Sequence, residues 1–143
     1  MNNIVIMGRN TFESLPSPLK DRQVIVVTSQ SGVSLLSKVS HDNVYVANSL
    51  EQAFEMTDYI RGNQVFIAGG VRLYEEVLKA SYPCTVELTV VHKEAPHGYD
   101  AIIKDFSMRK FELNEQETQT IYAIDPETNI PIPSHTYCQY IRD

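Results

Sequence analysis

The chain reads as an α/β protein: a mixed, mostly parallel single sheet with helices on both faces and antiparallel strands toward the C-terminus. Three observations predict this. Short β-branched runs alternate with helix-spaced segments from Asn3 to Ala80. Glycines, one at Gly8 and a pair at Gly69-Gly70, stand where strand turns into helix. After Pro83, strand-like runs follow one another with no helix between them.

The elements justify themselves in order. Asn3 to Met7 (NIVIM) is an apolar run halted by Gly8, and Arg9 to Leu15 (RNTFESL) is a polar-rich helix candidate that ends in the Pro-bounded turn PSPLKDR. Gln23 to Thr28 (QVIVVT) is rich in β-branched residues, which suits a strand covered on both faces. Asn43 to Ala47 (NVYVA) predicts a further strand. Ser49 to Gln52 then has the S-x-x-Q form of a capping box ahead of Leu50, Ala53, Phe54, Thr57 and Ile60 at helical spacing. Val65 to Ala68 predicts the next strand and Val71 to Ala80 the next helix, with Leu73, Val77 and Leu78 on its buried face. Cys84 to His92, Arg109 to Glu117 and Ser134 to Ile141 carry the C-terminal strand character, and PETNIPIPSH (Pro126 to His135) reads as a hairpin connection.

Composition bounds the function. At 143 residues the chain is most simply one domain, residues 1–143, long enough to hold a core without metal or disulfide. A formal charge of -6 argues against nucleic acid, whose phosphates are bound through clustered Lys and Arg. It leaves room for a small anion held by a few local cations. Cys84 and Cys138 have no CxxC spacing and read as ordinary apolar residues. The N-terminus MNNIVIMGRN has no basic leader pattern, and no apolar run is long enough to span a membrane, so the expectation is a soluble, cytoplasmic protein. His41, His92, His97 and His135 are scattered, with no metal-ligand spacing.

In open α/β sheets ligands bind beyond the carboxyl ends of the strands. The two turns to watch are therefore Met7-Gly8-Arg9 and Ala68-Gly69-Gly70. A helix N-terminus offers unpaired N–H groups and a positive dipole end, and glycine lets a phosphate oxygen come close. Arg9 opposes the dipole of its own helix, which suits a nearby anion as well as it suits an ordinary surface arginine. Thr28 and Ser29 end a buried strand at the same predicted edge, where hydroxyls serve either a ribose phosphate or plain turn chemistry. The dinucleotide fingerprint G-x-G-x-x-G, the P-loop, H-E-x-x-H and G-x-S-x-G are all missing from the sequence.

Taken together, NIVIMGRNTFESLPSPLKDRQVIVVTS, VFIAGGVRLYEEVL, VELTVV and the terminal SHTYCQYIRD resemble dihydrofolate reductase along the chain from Asn3 onward. The specific parts are M-G-R-x-T-x-x-S with a downstream P-L-x-x-R, and S-H-x-Y near the end. The resemblance implies an NADPH-dependent reductase of 7,8-dihydrofolate. For the cofactor it implies Gly8, Arg9, Asn10 and Thr11 at the first turn, with Arg9 near the adenosine 2'-phosphate, and Thr28 and Ser29 facing the same phosphate. It further implies Ala68, Gly69, Gly70, Val71, Arg72, Leu73 and Tyr74 at the glycine pair, which family members join by a cis peptide, and at the helix that receives the pyrophosphate. For the substrate it implies Ser14, Leu15 and Leu19 around the p-aminobenzoyl group, Arg22 on the glutamate α-carboxylate, and Ala68 and Thr89 beside the pterin. By itself Arg22 would read as a surface ion-pair partner of Asp21, and Thr89 as a satisfied strand hydroxyl.

The chain departs from the family at several points. Phe12 stands where Trp is frequent, Val71 replaces a small residue, and Gln30 is uncharged where some members place a second cation. Ala68 is smaller than the usual aliphatic. The family's first strand, mobile loop and first helix precede the N-x-V-I-M-G-R motif, and that segment carries the catalytic acid. No Asp or Glu here matches it, so catalytic residues are expected to be absent from the matched positions. The expectations are a doubtful turnover for this chain and a sheet completed by a further segment or a partner chain. The competing readings are a non-catalytic NADPH-binding module and a same-fold reductase of another pterin or a ribosylated pyrimidine.

Overall fold

The computed structural model describes residues 2–17, 19–29, 41–94, 98, 101–104 and 110–143. Gln30, His97 and Arg109, singled out above, lie outside the described residues. The chain forms two compact units, Met1–Glu76 and Val77–Asp143.

The first unit is built on a parallel sheet. Strands β1 (Asn3–Gly8), β2 (Arg22–Val27), β3 (Val44–Ala47) and β4 (Val65–Ile67) lie in the order β3-β2-β1-β4. In the register, Val5 faces Val24 and Phe66, and Met7 faces Val26. β1 and β2 are central, and Ile4, Val5, Ile6 and Met7 are buried together with Val24, Ile25 and Val26; this is why both segments read as unbroken apolar runs. On one face Val5, Met7, Val24 and Val26 form a cluster covered by Phe12, Leu15, Leu19, Val44 and Val46.

Helix α1 is shorter than the sequence predicts, Arg9–Glu13 rather than Arg9 to Leu15. Ser14 caps it, with its hydroxyl donating to the Thr11 carbonyl at 2.7 Å, and Pro16 disfavours helical backbone at Leu15. Helix α2 (Leu50–Thr57) starts at the predicted box: Ser49 Oγ accepts from Gln52 N at 3.1 Å. The Gln52 side chain reaches back one residue further than expected, accepting from Asn48 N at 2.6 Å. Helix α3 (Val71–Lys79) follows the glycine pair and buries Leu73.

The second unit is antiparallel. β5 (Cys84–Val91) pairs with β8 (Pro131–Arg142), and β8 also pairs with β6 (Glu112–Leu113) and β7 (Gln119–Ile124). Among the described residues the hydrogen-bonded ladders thus form one parallel and one antiparallel sheet.

The second unit also differs from the sequence-based expectation. The run Arg109 to Glu117 is not continuous strand where described: after Leu113 the backbone closes into a 3-10 turn at Glu115–Glu117. The Asn114 carbonyl draws it in, accepting from Glu117 N at 3.2 Å and from Thr118 Oγ1 at 2.9 Å. Strand β7 has no counterpart among the predicted elements, and it becomes a strand by pairing with β8 across a bulge at Ile121/Tyr122. The hairpin connection is shorter than the Pro126 to His135 expected: it occupies Pro126 to Ile130, and Pro131 to His135 already belong to β8, paired with β7. Asp125 organises its turn through Glu127 N at 2.9 Å and Thr128 Oγ1 at 3.0 Å, and Asn129 takes the positive φ of 56°.

Among the described residues no helix is long and apolar enough to cross a membrane.

Candidate functional site

The two glycine turns adjoin at the carboxyl edge of the parallel sheet. Gly8 ends β1 and its N–H donates to the Gly69 carbonyl at 2.8 Å. A Cβ at Gly8 would stand 3.7 Å from Gly70 N, and one at Gly70 would stand 3.5 Å from Thr11 Oγ1. The Gly69–Gly70 peptide is cis, and Gly69 has φ +94° with the Tyr74 ring 3.1 Å from where its Cβ would be. A side chain at Gly69 is opposed both by the backbone and by that ring.

The helices that start here share an unusual property. Gly8 caps α1 with no side-chain hydrogen bond, and neither α1 nor α3 has an acidic residue in its first turn. α2 has both a Ser49 cap and Glu51. The first amides of a helix have no intrahelical acceptor, so α3 begins with donors that α2 satisfies internally. The first intrahelical bond of α3 runs from Tyr74 N to Gly70 O at 3.1 Å. Val71, Arg72 and Leu73 precede it with N–H groups at the positive dipole end, where an anion is stabilised.

The remaining predicted residues fall into three groups. Gly8, Thr11, Gly69, Gly70 and Tyr74 are brought together directly. Thr28 and Ser29 follow Val27, the register partner of Gly8, so they sit at the same carboxyl edge. Thr28 is buried, with its N–H donating to Ala47 O at 2.9 Å, and Ser29 is exposed. Asn10, Arg72 and Ala68 are exposed at these turns. Arg9 is not free: its Nε is paired with Glu13 Oε1 at 2.9 Å across one helical turn. Sequence reasoning missed this partner although the i,i+4 spacing was in view.

Arg22 lies at the opposite edge. It opens β2 opposite Asn3, five residues before Val27, which is about 17 Å of strand. It is exposed, makes no ion pair with Asp21 or any other acid among the described residues, and donates only to Lys20 O at 3.3 Å. Leu15 and Leu19 pack on the Val5, Met7, Val24, Val26 face between these edges, while Ser14 is exposed.

Thr89 belongs to the second unit, on the face of β5 opposite Tyr137. Beside it is a polar network absent from the sequence analysis. Glu87 accepts from the Tyr137 hydroxyl and from Gln139 Nε2 at 3.0 Å, and Gln139 Oε1 accepts from Asn114 Nδ2 at 2.8 Å. The Glu87 hydrogen bond holds the Tyr137 phenol above its ordinary pKa of 10.0, with burial and the charges of Glu87 and Glu117 adding to it. Only the β5–β8 register reveals this, since the partners are far apart in sequence.

Comparison with known proteins agrees with these motifs. The family model described as dihydrofolate reductase matches residues 1–138. The dihydrofolate reductase of Candida albicans is 32% identical over 101 residues, covering 68% of this chain and 50% of the relative. That of Schistosoma mansoni is 40% identical over 106 residues, covering 66% and 52%. The chain spans about half the length of these curated relatives. Among solved structures, Schistosoma mansoni dihydrofolate reductase superposes with a TM-score of 0.69 at 29% identity, covering 99% of this chain and 75% of that one. Enterococcus faecalis dihydrofolate reductase, complexed with NADP(H) and RAB-propyl, gives 0.67 at 25% identity, covering 99% and 74%.

Proposed function

The chain belongs to the dihydrofolate reductase family, and we propose that it serves an NADPH-dependent reduction of 7,8-dihydrofolate to tetrahydrofolate. The observation that carries this reading is the 2.8 Å bond from Gly8 to Gly69, which sets side by side two helix starts with no acidic residue in the first turn. A diphosphate needs such a surface: glycine backbone without Cβ, free N–H groups and hydroxyls. Gly8, Thr11, Gly69, Gly70 and the α3 amides would hold the pyrophosphate, and Arg9, Thr28 and Ser29 the 2'-phosphate. For Arg9 to do so it must exchange Glu13 for the phosphate, a small cost because an exposed i,i+4 pair contributes only about 0.3–0.5 kcal/mol.

When bound, NADPH supplies the hydride. The chain's residues position the acceptor: Leu15 and Leu19 provide apolar contact, and Arg22 receives the far carboxylate, where a planar guanidinium offers two parallel donors. The separation between the glycine turns and Arg22 suits an elongated ligand with a terminal anion. It favours folate over a tail-less pterin or a ribosylated pyrimidine.

The C=N bond accepts hydride more readily once its nitrogen is protonated, and a carboxylate promoting that step contributes about 10² to 10⁴ in rate. None of the matched positions carries one. Glu13 is exposed to solvent. We assign the carboxylate to a further segment or a partner chain, and expect weak turnover from these 143 residues by themselves.

Two measurements test the reading. NADPH fluorescence on titration should change, with Arg9→Ala weakening NADPH at least several-fold and NADH little. NADPH oxidation with dihydrofolate should be slow, and should rise when the acid-bearing segment is supplied. No fluorescence response in either form sinks the proposal, and binding with no turnover after supplementation selects the non-catalytic module.

A further inference from the structure

Helix α1 carries its two charges against its own dipole. Arg9 stands in the first turn, at the positive end, and Glu13 is the last residue, at the negative end. The order also runs the weaker way for an intrahelical pair, which is more favourable with the acid N-terminal to the base. A helix of five residues with no side-chain cap has little stability of its own to set against that arrangement. Helix stability therefore accounts for neither charge. Their contact is a single bond, from Arg9 Nε to Glu13 Oε1 at 2.9 Å, between side chains that are 24% and 43% exposed. Among the described residues neither side chain makes another hydrogen bond, so Nη1 and Nη2 can meet a ligand while Glu13 holds Nε. Arg9 follows Gly8, the register partner of Val27, and so lies at the edge where Thr28 and Ser29 leave β2.

Resting on the assignment of the adenosine 2'-phosphate to Arg9, we infer that Glu13 is a specificity-determining residue: its carboxylate occupies Arg9 as an internal stand-in for that phosphate and gives way only to a cofactor that carries it. Carboxylate and phosphate are both anionic oxygen acceptors that suit one guanidinium. A nucleotide without the 2'-phosphate leaves the pair closed, so its affinity does not depend on Glu13. A nucleotide with it meets the two Nη groups first, after which Glu13 releases Nε and turns into the solvent that already reaches it. The phosphate wins this exchange because an exposed i,i+4 pair is weak, whereas a phosphate monoester brings about -1.5 to -2 charges at pH 7. Glu13 therefore acts on one cofactor and not on the other. It lowers the affinity for NADPH by the strength of the pair that must open, and leaves NADH as it is.

Fluorescence titration of the full chain with NADPH and with NADH isolates the effect, because the two differ only by that phosphate. Glu13→Gln and Glu13→Ala should each tighten NADPH about twofold, the inverse of what an exposed pair contributes, and leave NADH unchanged. In an Arg9→Ala background neither substitution should alter the NADPH affinity, since the pair is already gone. The Nε–H resonance of Arg9, identified by its loss in Arg9→Ala, should shift with NADPH and move far less with NADH. Glu13 is exposed, and unchanged far-UV dichroism verifies folding of each variant. No tightening, equal tightening for both cofactors, or a gain that survives without Arg9 overturns the role of Glu13 while Arg9 keeps its own. Equal weakening of both cofactors by Arg9→Ala, or a parent chain that binds no NADPH, removes the 2'-phosphate assignment itself and the role of Glu13 with it.

Discussion

Replacing Arg142 with Met should destabilise the second unit by about 3–5 kcal/mol, the range for removing one partner from a buried charged network. Arg142 is only 7% exposed. Its Nε donates to Tyr82 O at 2.8 Å, Nη1 to Leu78 O at 3.1 Å and Nη2 to Val77 O at 2.9 Å, and its guanidinium lies 4.6 Å from the Phe111 ring centroid. Val77 and Leu78 belong to the last turn of α3, whose carbonyls have no intrahelical donor, so a cation there meets both a hydrogen-bonding need and the negative dipole end. Each charge-assisted bond contributes about 1.5–3 kcal/mol and the ring contact about 0.5–2, but these are not additive. Met keeps most of the packing volume and removes every donor that Arg142 offers to these three carbonyls. Arg142→Lys keeps the charge but lacks the fork that reaches three acceptors, and should lose about half as much. Urea unfolding by far-UV dichroism reads the loss, and hydrogen exchange at the β5 and β8 amides locates it. A Met variant within about 1 kcal/mol of the parent would refute the assignment of Arg142 as the closure of α3, because surface substitutions lie within about half of that.

Three further outcomes follow from other parts of the molecule. A Cβ at Gly62 would stand 2.4 Å from Ile4 Cγ1 and 2.8 Å from Cδ1, and Ile4 is fully buried in β1, so Gly62→Ala should cost about 1–3 kcal/mol. Ile4→Val in that background should recover part of the loss by removing Cδ1, and strictly additive losses in the double-mutant cycle would reject the contact. The Tyr137 phenol, raised chiefly by its bond to Glu87, stays protonated at a pH where an unfolded tyrosine ionises. Its contribution to stability is complete below about pH 10 and is lost as pH rises through the folded value. Glu87→Gln should lower the Tyr137 midpoint in ring-carbon NMR; an unchanged midpoint removes Glu87 as the cause. Arg22→Ala should weaken folate more than a pterin without the glutamyl tail in equilibrium titrations, and equal losses for both ligands count against a role for Arg22 at the tail.

Much of the first unit is legible in the amino-acid order because its signals are local. β1 and β2 are buried on both faces, so they appear as the unbroken apolar runs NIVIM and QVIVV. The Ser49 cap declares α2, and glycines mark both strand exits. The site motifs around Gly8 and Gly69 are legible for the same reason: a close backbone approach excludes side chains, and that exclusion is written in the residue type. Where sequence reasoning fails, the deciding partner is distant. QTIYAI becomes β7 only against β8, and Glu112 and Leu113 stop pairing where the Asn114 carbonyl is claimed by Glu117 and Thr118.

The amino-acid order by itself determined the alternation of strands and helices, the glycine exits and the family. Tertiary structure alone decided that Gly8 and Gly69 touch, that Arg9 is held by Glu13, and that Glu87 is fastened to Tyr137 and Gln139. The physical reason is range. Periodicity and capping act within a few residues, whereas the partner of a backbone group or a charge is chosen by sheet register between segments the chain has brought together.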